Sequence, residues 1–436
     1  MSSENVQIYQ RRRRNLLSQV GENDIVIVPT SPVKMRNSDV EYQFRPDSDF
    51  YYLTGFHEPE SVAVFIPGRA SGEYVMFCRE RDAEREMWDG LRAGLEGVVE
   101  RWGADDAFPI EDIGDILPGL MEEREKVFIN VGRYPEFDVE ILGWLNKIKN
   151  DGSTKHAPYE LVDLSHLLFE QRLIKGQDEI GVMRKAGKIS AIGHARAMQT
   201  CRPGMFEYQV QAEMEYEFRR AGSPYNAYSS IVAGGANACI LHYTENDAVL
   251  NDGDLLLIDA GAEYGCYAAD ISRTFPVSGK FSPEQRAIYD IVLAAQHAAF
   301  EQCQPGKTWD DPHQAAVNVL TQGLVDEGIL PGSLEQNLEQ HSYSRYYMHR
   351  TGHWLGLDVH DVGDYRVDND WRVLEAGMVF TVEPGLYLAA SDDLDPRWHN
   401  IGIRIEDNVL IKRSGHEILT GGVPTDADEI EALMAH

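Results

Sequence analysis

The chain has 436 residues, of which 43% are hydrophobic, and its 71 acidic and 40 basic residues give it a net charge of −31. This length exceeds what one hydrophobic core normally supports, so the sequence predicts two domains. Such a negative surface repels nucleic acid and is not attracted to anionic membranes, which excludes proteins that bind either by charge. It favours divalent cations and peptides that carry a free α-ammonium group.

The N-terminal part of the chain predicts an α/β domain. Residues 4–20 have the apolar periodicity of an amphipathic helix, and Arg11 to Arg14 are expected on its solvated face. Acidic segments of helical character then alternate with short apolar runs of strand composition, at 25–28, 62–66, 74–78 and 126–131. Trp88 is expected to pack in the core of this domain or at its rim.

The polar segment 150–155 is predicted to be a loop, and the domain boundary is placed between it and Lys175. The predicted domains are therefore residues 1–172 and residues 173–436. The second domain alternates helical patterns with strand patterns that carry acidic residues, which indicates an α+β fold. One predicted helix of this domain begins near residue 178, and four others cover 206–221, 282–302, 310–328 and 427–436.

Two acidic residues are predicted to meet in a hairpin within residues 254–275. The pattern is that of a strand, a tight turn and a second strand, with Tyr264-Gly265 as the two-residue loop. This register places Asp259 directly opposite Asp270, with β-carbons roughly 4.5–5.5 Å apart. Like charges at that distance repel unless a cation lies between them.

A second pair of strands is predicted to supply two further acids, Glu383 and Glu406, and His353 lies in a glycine-flanked turn before them. An oxygen-dominated set with one imidazole suits Mn²⁺, Mg²⁺ or Fe²⁺ better than a structural zinc ion. Four carboxylates balance two divalent ions and leave room for a bridging hydroxide. The sequence therefore predicts a two-metal hydrolytic site.

The five cysteines are scattered without the spacing of a metal site or a disulfide framework, and the chain has no apolar run of membrane-spanning length. We therefore expect a reduced, cytoplasmic protein that binds neither a membrane nor nucleic acid.

Seven stretches of the chain are distinctive in their residues and their order: an N-terminal segment at 41–56, followed by CILHYTEN at 239–246, LIDAG at 257–261, ADISRTFP at 269–276, GHWLGLDVHD at 352–361, TVEPGLY at 381–387 and GIRIEDN at 402–408. Together they resemble the Xaa-Pro aminopeptidase (aminopeptidase P) family of creatinase-like, pita-bread metallopeptidases. The resemblance extends over nearly the whole chain.

The resemblance implies an α+β pita-bread catalytic domain behind the α/β domain and a centre of two divalent ions, usually Mn²⁺. Asp270 and Glu406 would bridge the two ions. Asp259 would hold one ion, and His353 with Glu383 would hold the other.

Further residues are expected to act on the substrate. The resemblance implies that His242, His349 and His360 line the cleft, with His360 against the developing oxyanion, and we expect Glu383 to relay a proton to the leaving nitrogen. Arg404 shares a strand face with Glu406, so it is expected either to balance carboxylate charge or to contact substrate.

The predicted activity is that of a dinuclear-metal exopeptidase, which releases the N-terminal residue from peptides with proline in second position through a metal-bridging hydroxide. The alternative enzyme is a prolidase, which uses the same metal ligands but cleaves only Xaa-Pro dipeptides. From a different class, a non-catalytic relative could bind partners through the same fold. The resemblance also implies a homodimer or homotetramer.

Overall fold

The computed structural model describes residues 3–150 and 155–435, and it divides into two compact units, Met1–Arg172 and Leu173–His436. The loop predicted at 150–155 falls largely on residues 151–154, which lie outside the described part of the chain. Within that part, no helix combines the length and the apolar character needed to cross a lipid bilayer.

The first unit alternates strands and helices. Its strands are β1 (Ile25–Pro29), β2 (Met35–Asn37), β3 (Val40–Glu41), β4 (Val62–Phe65), β5 (Tyr74–Cys78), β6 (Asp106–Pro109), β7 (Lys126–Ile129) and β8 (Glu160–Asp163). Its helices are α1 (Ser3–Leu17), α2 (Ser48–Thr54), α3 (Ala83–Asp89), α4 (Gly94–Trp102), α5 (Ile113–Met121), α6 (Pro135–Asn150) and α7 (Ser165–Leu173).

Six of these strands form one mixed sheet in the order β6-β5-β4-β1-β7-β8. The pairs β1–β4 and β4–β5 are antiparallel, whereas β5–β6, β1–β7 and β7–β8 are parallel. The β-branched and aromatic residues of the apolar runs, such as Ile25, Val64, Phe77 and Val127, are fully buried in this sheet. The α/β class predicted for this part of the chain is confirmed.

The arginine run of α1 is not a solvated face throughout, and the prediction is wrong for Arg12 and Arg13, which are 4% and 5% exposed. Their Nη1 atoms donate to the carbonyl oxygens of Tyr52 (3.1 Å) and Leu53 (3.0 Å), in the last turn of α2. Their guanidinium groups also lie over the rings of Tyr52 and Tyr74. The end of α2 leaves carbonyl groups that need donors, and aromatic faces attract cations, so burial is favourable here.

Trp88 is 81% exposed, so the prediction that it packs in the core or at its rim is also wrong. It lies in α3, a short helix with no buried residue, next to Met87 and close to Leu91, which are both 82% exposed. We call these three residues the exposed apolar cluster.

The second unit contains the remaining elements. Its helices are α8 (Gln177–Thr200), α9 (Glu207–Arg220), α10 (Pro283–Gln302), α11 (Asp310–Asp326), α12 (Leu334–Glu339) and α13 (Ala427–Met434). Its strands are β9 (Tyr225–Asn226), β10 (Ile231–Gly234), β11 (Leu255–Asp259), β12 (Ala262–Tyr264), β13 (Tyr267–Ala268), β14 (Ser272–Pro276), β15 (Arg366–Val367), β16 (Asp370–Trp371), β17 (Val379–Val382), β18 (Gly385–Leu388), β19 (Ile401–Arg404), β20 (Asp407–Ile411) and β21 (His416–Ile418).

The predicted helices of this unit are confirmed as α8, α9, α10, α11 and α13, within a few residues at each end. The start of α10 shows why the sequence signal was strong. Ser282 accepts a hydrogen bond from the backbone N–H of Gln285, and the Gln285 side chain accepts one from the backbone N–H of Ser282. This capping box, followed by Pro283 in the first turn, satisfies N–H groups that a helix start leaves without partners. The last residue of the segment predicted to end at 436 lies outside the described chain.

The hairpin that carries the first two acids turns one residue later than predicted. Its loop is Gly265-Cys266, and both residues have positive φ, 57° and 65°. Asp259 is therefore opposite Ser272, so the predicted direct pairing of Asp259 with Asp270 is wrong. Cysteine seldom adopts a left-handed conformation, which is why the sequence pointed to the wrong pair of loop residues.

The two strands of this hairpin share an interruption that separates β11–β14 from β12–β13, and Asp270 lies within it. A β-carbon on Gly261, in the same interruption, would lie 1.7 Å from the carbonyl oxygen of Ala269, so only glycine fits there. The pairs β17–β20 and β18–β19 are interrupted in the same way, between Val382 and Gly385 on one strand and between Arg404 and Asp407 on the other. Glu383 and Glu406 lie in that second interruption.

Candidate metal centre

Three of the five predicted ligands lie close enough to hold one ion. Asp270, His353 and Glu406 each offer one ligand atom, and these atoms are all within 4.8 Å of one another. Glu383 is next to them, with its Oε1 atom 3.8 Å from His353 Nε2. Interrupted strands carry the three carboxylates among these four residues, so regular pairing does not fix the direction of their side chains.

Asp259 joins this group through Tyr228. The Tyr228 hydroxyl is 2.6 Å from Oδ1 of Asp259 and is also within hydrogen-bonding distance of Oδ1 of Asp270. One hydroxyl has a single proton, so it cannot neutralise the repulsion of two carboxylates. The predicted closeness of the two acids is thus present, although it comes from the interruption and not from direct pairing.

His353 is oriented as metal-binding histidines are. Its Nδ1 lies 2.9 Å from the carbonyl oxygen of Trp354, which requires Nδ1 to carry the proton, and its backbone N–H donates to Thr381 Oγ1. Nε2 then faces the acids, 3.3 Å from Asp270 Oδ2. Burial lowers the pKa of His353, but the hydrogen bond to Asp270 and the charge of Glu383 raise it, to about 9. A hydrogen-bonded Nδ1 leaves Nε2 as the ligand atom.

The raised pKa values of Glu406 and Glu383 show that the neighbouring cationic side chains do not balance the negative charge of the acids. Burial, together with the charges of Asp270 and Glu383, raises the pKa of Glu406 well above its ordinary value. Burial likewise raises the pKa of Glu383 to about 7, although His353 and Arg404 act in the opposite direction. Carboxylates crowded in this way take up protons or bind cations, and with one imidazole they form a donor set that fits divalent ions.

Arg404 is buried and uses each of its guanidinium nitrogens. It donates from Nη2 to Asp259 Oδ2 (2.7 Å), from Nε to Ser272 Oγ (2.8 Å) and from Nη1 to the Tyr387 hydroxyl (2.9 Å). These contacts orient Asp259 and place a permanent positive charge beside it. Arg404 was expected either to balance carboxylate charge or to contact substrate, and its contact with Asp259 supports the first of these roles.

The acids line a cavity of about 590 Å³ that also contains His242, His349, His360 and Arg404. A cavity of this size accommodates a small ligand such as a short peptide. Every residue predicted for the site thus lies in or next to one pocket of the second unit.

Two of the cleft histidines have clear polar surroundings. His349 lies with Nε2 2.9 Å from the Tyr387 hydroxyl and with Nδ1 3.8 Å from Glu383 Oε2, and its burial lowers its pKa to about 4. His360 is exposed, and its ring centroid is 4.2 Å from that of His353. Partial desolvation and the charge of His353 lower the pKa of His360. Both rings are therefore neutral near pH 7.

Sequence reasoning missed three residues that support the acids. Tyr228 lies in an irregular segment 31 residues before Asp259, and no pattern marks it. Ser272 donates to Glu406 Oε2 (2.7 Å), and the Asn408 side chain bonds both the N–H and the carbonyl oxygen of Asp270. Ser272 and Asn408 lie inside the quoted motifs. Each is two residues from a predicted ligand, Asp270 or Glu406, and this closeness in sequence could have identified them.

Comparisons with known proteins agree over the whole chain. Residues 181–413 match the model of metallopeptidase family M24, and residues 9–128 match that of the aminopeptidase P N-terminal domain. The chain is 44% identical to the Xaa-Pro aminopeptidase of Escherichia coli strain K12, over 100% of this chain and 99% of the relative.

Solved structures give the same result. The aminopeptidase PepP of Pseudomonas aeruginosa superposes with a TM-score of 0.98 at 56% identity, over 99% of this chain and 98% of that chain. A variant of Escherichia coli aminopeptidase P in complex with substrate superposes with a TM-score of 0.96 at 43% identity, over 98% of each chain.

Proposed function

Because this chain belongs to metallopeptidase family M24, we propose that it is a Xaa-Pro aminopeptidase, an enzyme that releases the N-terminal residue from peptides whose second residue is proline. The family also confirms the predicted fold class, an α/β domain followed by a pita-bread catalytic domain. One observation carries the proposal: the cavity combines Asp270, His353 and Glu406 within ligating distance of one another with further buried carboxylates.

We place two divalent ions in this cavity and infer Mn²⁺ from the oxygen-rich donor set. Asp270 and Glu406 would lie between them, Asp259 would bind one ion, and His353 with Glu383 would bind the other. When bound, the ions would hold the substrate's α-amino group, polarise the carbonyl group and provide a nucleophilic water at neutral pH.

The chain's own residues move the protons. Glu383 lies 3.8 Å from both His349 and His353, and a carboxylate in this place can accept a proton from the attacking water and deliver it to the leaving nitrogen. His360 presents a neutral imidazole to the cavity, and its N–H would donate to the oxyanion that forms at the scissile carbonyl. His242, His349 and Arg404 would border the bound peptide.

Proline changes the leaving side of the scissile bond. Its nitrogen must gain a proton as the bond breaks, as in any peptide hydrolysis, but here the nitrogen carries no hydrogen of its own and lies in a ring that fixes φ. We infer a subsite shaped for the pyrrolidine ring, into which an ordinary second residue would bring an N–H group. That N–H would lack an acceptor, which disfavours such peptides.

The expected result with a peptide panel follows directly. In Mn²⁺-supplemented buffer, the protein should release the first residue of a Xaa-Pro-Yaa tripeptide at least about a hundredfold faster than that of the Xaa-Ala-Yaa analogue, as measured by chromatography of the released amino acid. A strong preference for the Xaa-Pro dipeptide would identify a prolidase instead. Metal-loaded protein that cleaves no member of the panel would identify a non-catalytic binding protein.

We also infer that the domains are residues 1–172 and 173–436 and that the protein is cytoplasmic. All five cysteines are free thiols and four of them are buried, a pattern typical of proteins that fold in a reducing compartment. Cell fractionation that recovered the protein outside the cytoplasm would contradict the second inference.

The exposed apolar cluster supports the inference of a homodimer or homotetramer. Met87, Trp88 and Leu91 project large apolar side chains into solvent, and such side chains gain free energy when a second copy covers them. Sedimentation velocity is expected to show a dimer or tetramer that dissociates when Trp88 is replaced by Glu. A wild-type protein that sediments as a monomer at micromolar concentration would refute this inference.

A further inference from the structure

His242 reaches the cavity on a long segment, residues 234–248, which begins at the last residue of β10, includes a short 3₁₀ helix (Gly235–Cys239) and ends before β11. His242 itself is exposed, whereas its neighbour Tyr243 is buried. Beyond Gly234 the segment contains no strand, so contacts other than sheet pairing must fix the place of the imidazole. We call residues 234–248 the His242 loop.

Glu207, the first residue of α9, is fully buried, and its carboxylate lies within reach of four donors that all belong to this loop. Oε1 accepts from the backbone N–H of Gly234 (2.7 Å) and from Asn237 Nδ2 (3.1 Å). Oε2 accepts from the Tyr243 hydroxyl (2.8 Å) and from the backbone N–H of Ala248 (2.9 Å).

The four donors come from the two ends and from the middle of the His242 loop, so one carboxylate holds the whole segment. All four are neutral N–H or O–H groups, and four acceptor positions are what an ionised carboxylate supplies. The position of Glu207 at the start of α9 adds the positive end of the helix dipole. Its charge is thus stabilised without a cation, and its hydrogen bonds are of the strong, charge-assisted kind.

A second contact pins the same loop to the segment that carries Tyr228. Asn246, buried and with a φ of 50°, accepts from the backbone N–H of Val232 and donates to the carbonyl oxygen of Ser230. The backbone of Glu207 also donates to the carbonyl oxygen of Ala248. The loop is therefore tied to a rigid helix start and to strand β10.

We propose that Glu207 is a positioning residue for the reaction: it acts through the His242 loop to set the imidazole of His242 in the substrate cavity. This inference rests on the proposed function only for its kinetic consequence. The geometric consequence, that His242 moves when Glu207 changes, holds for any activity of this site.

The test compares Glu207→Gln with His242→Ala and with the double variant. A glutamine has nearly the same shape, but its amide NH₂ group would face two donors that need an acceptor, so the loop loses part of its anchor. We expect Glu207→Gln to lower kcat/KM for a Xaa-Pro-Yaa peptide by about tenfold to a hundredfold, as a small displacement of an active-site group does. In protein that already carries His242→Ala, Glu207→Gln should lower kcat/KM by less than about twofold, because both changes act through the His242 imidazole.

Glu179→Gln is the matched control. Glu179 is another buried carboxylate at the start of a helix of the same unit, where it accepts from the Tyr267 hydroxyl and the backbone N–H of Gly176. It lies away from the cavity, so its variant should lose thermal stability but keep kcat/KM. Metal content, measured for each variant by mass spectrometry, should remain that of the wild type.

A readout without activity separates this inference from the proposed function. In protein with ¹⁵N-labelled histidine, the His242 ring signals, identified by their loss in His242→Ala, should shift in Glu207→Gln and stay in place in Glu179→Gln. If Glu207→Gln does not fold, Tyr243→Phe removes a single donor next to His242 and should show a smaller shift of the same signals. Unchanged His242 signals, or kinetic effects of Glu207→Gln and His242→Ala that multiply, would overturn the inference. A wild type inactive on Xaa-Pro peptides would overturn only the proposed function.

Discussion

Exchange of Glu406 for glutamine is expected to lower kcat/KM for a Xaa-Pro-Yaa peptide by about a thousandfold or more, because the change removes a charge on which the whole centre depends. Glu406 is 1% exposed, accepts a hydrogen bond from Ser272 and lies within ligating distance of Asp270 and His353. The neutral amide keeps the volume of the side chain, so the protein should remain folded. Steady-state kinetics and metal analysis of the purified variant measure the result.

We expect this variant to retain fewer metal ions than the wild type and to keep its circular dichroism spectrum. The Glu179→Gln variant again serves as the control for loss of a buried carboxylate away from the cavity. A Glu406→Gln protein with near wild-type activity would show that Glu406 does not hold the metals, and the assignment of the centre would fail.

Removal of the divalent ions is expected to abolish hydrolysis completely. It is also expected to make the stability of the protein fall as the pH rises from 5 to 8. Burial raises the pKa of Glu383 to about 7, and burial with the neighbouring acids raises that of Glu406 well above its ordinary value. Carboxyl groups with raised pKa values bind protons more tightly in the folded than in the unfolded protein. Their contribution to stability is therefore full below about pH 4.5 and is lost as the pH rises through their folded-state values.

Metal ions replace those protons, so the loaded protein should not suffer this loss. Melting temperatures of stripped and reloaded protein, measured between pH 5 and pH 8, should diverge as the pH rises, with the stripped form falling behind. Buried histidines such as His349, with its lowered pKa, change stability in the opposite sense in both forms, so their effect largely cancels in the difference between the two curves. The difference then reports the crowded carboxyl groups together with His353, whose raised pKa of about 9 acts in the same sense as theirs. Reloading at pH 7 should release protons, which calorimetry in two buffers of different ionisation enthalpy detects. Parallel melting curves and no proton release would contradict the conclusion that crowding raises the pKa values of the buried carboxyl groups.

The sequence singled out four acids that the structure brings into one cavity, but it did not predict how they are arranged there. Asp259, Asp270, Glu383 and Glu406 stand out because charged residues interrupt apolar strand patterns next to glycines, and that signal is local. Their mutual geometry depends on where the strand pairing breaks. The loop at Gly265-Cys266 shifted the register because Cys266 accepts a left-handed conformation that its residue type disfavours.

Other features could not be read from the sequence because they depend on tertiary contacts. Tyr228 reaches Asp259 and Asp270 from an irregular segment, and Arg12 and Arg13 are buried because the carbonyl groups of α2 and two tyrosine rings receive them. Glu207 looks like an ordinary acid at the start of a helix, and only the folded loop brings its four donors together. Helix limits, in contrast, were predicted well, because caps such as Ser282 and Gln285 act within one turn.

The contact between Arg404 and Asp259 also decides the electroneutrality of the loaded centre. Two divalent ions would neutralise the four carboxylates, and the single positive charge of the guanidinium group would then be balanced by the hydroxide proposed between the ions. A fixed positive charge at this place would therefore favour the ionised form of the metal-held water, without any residue of the site having to change its protonation.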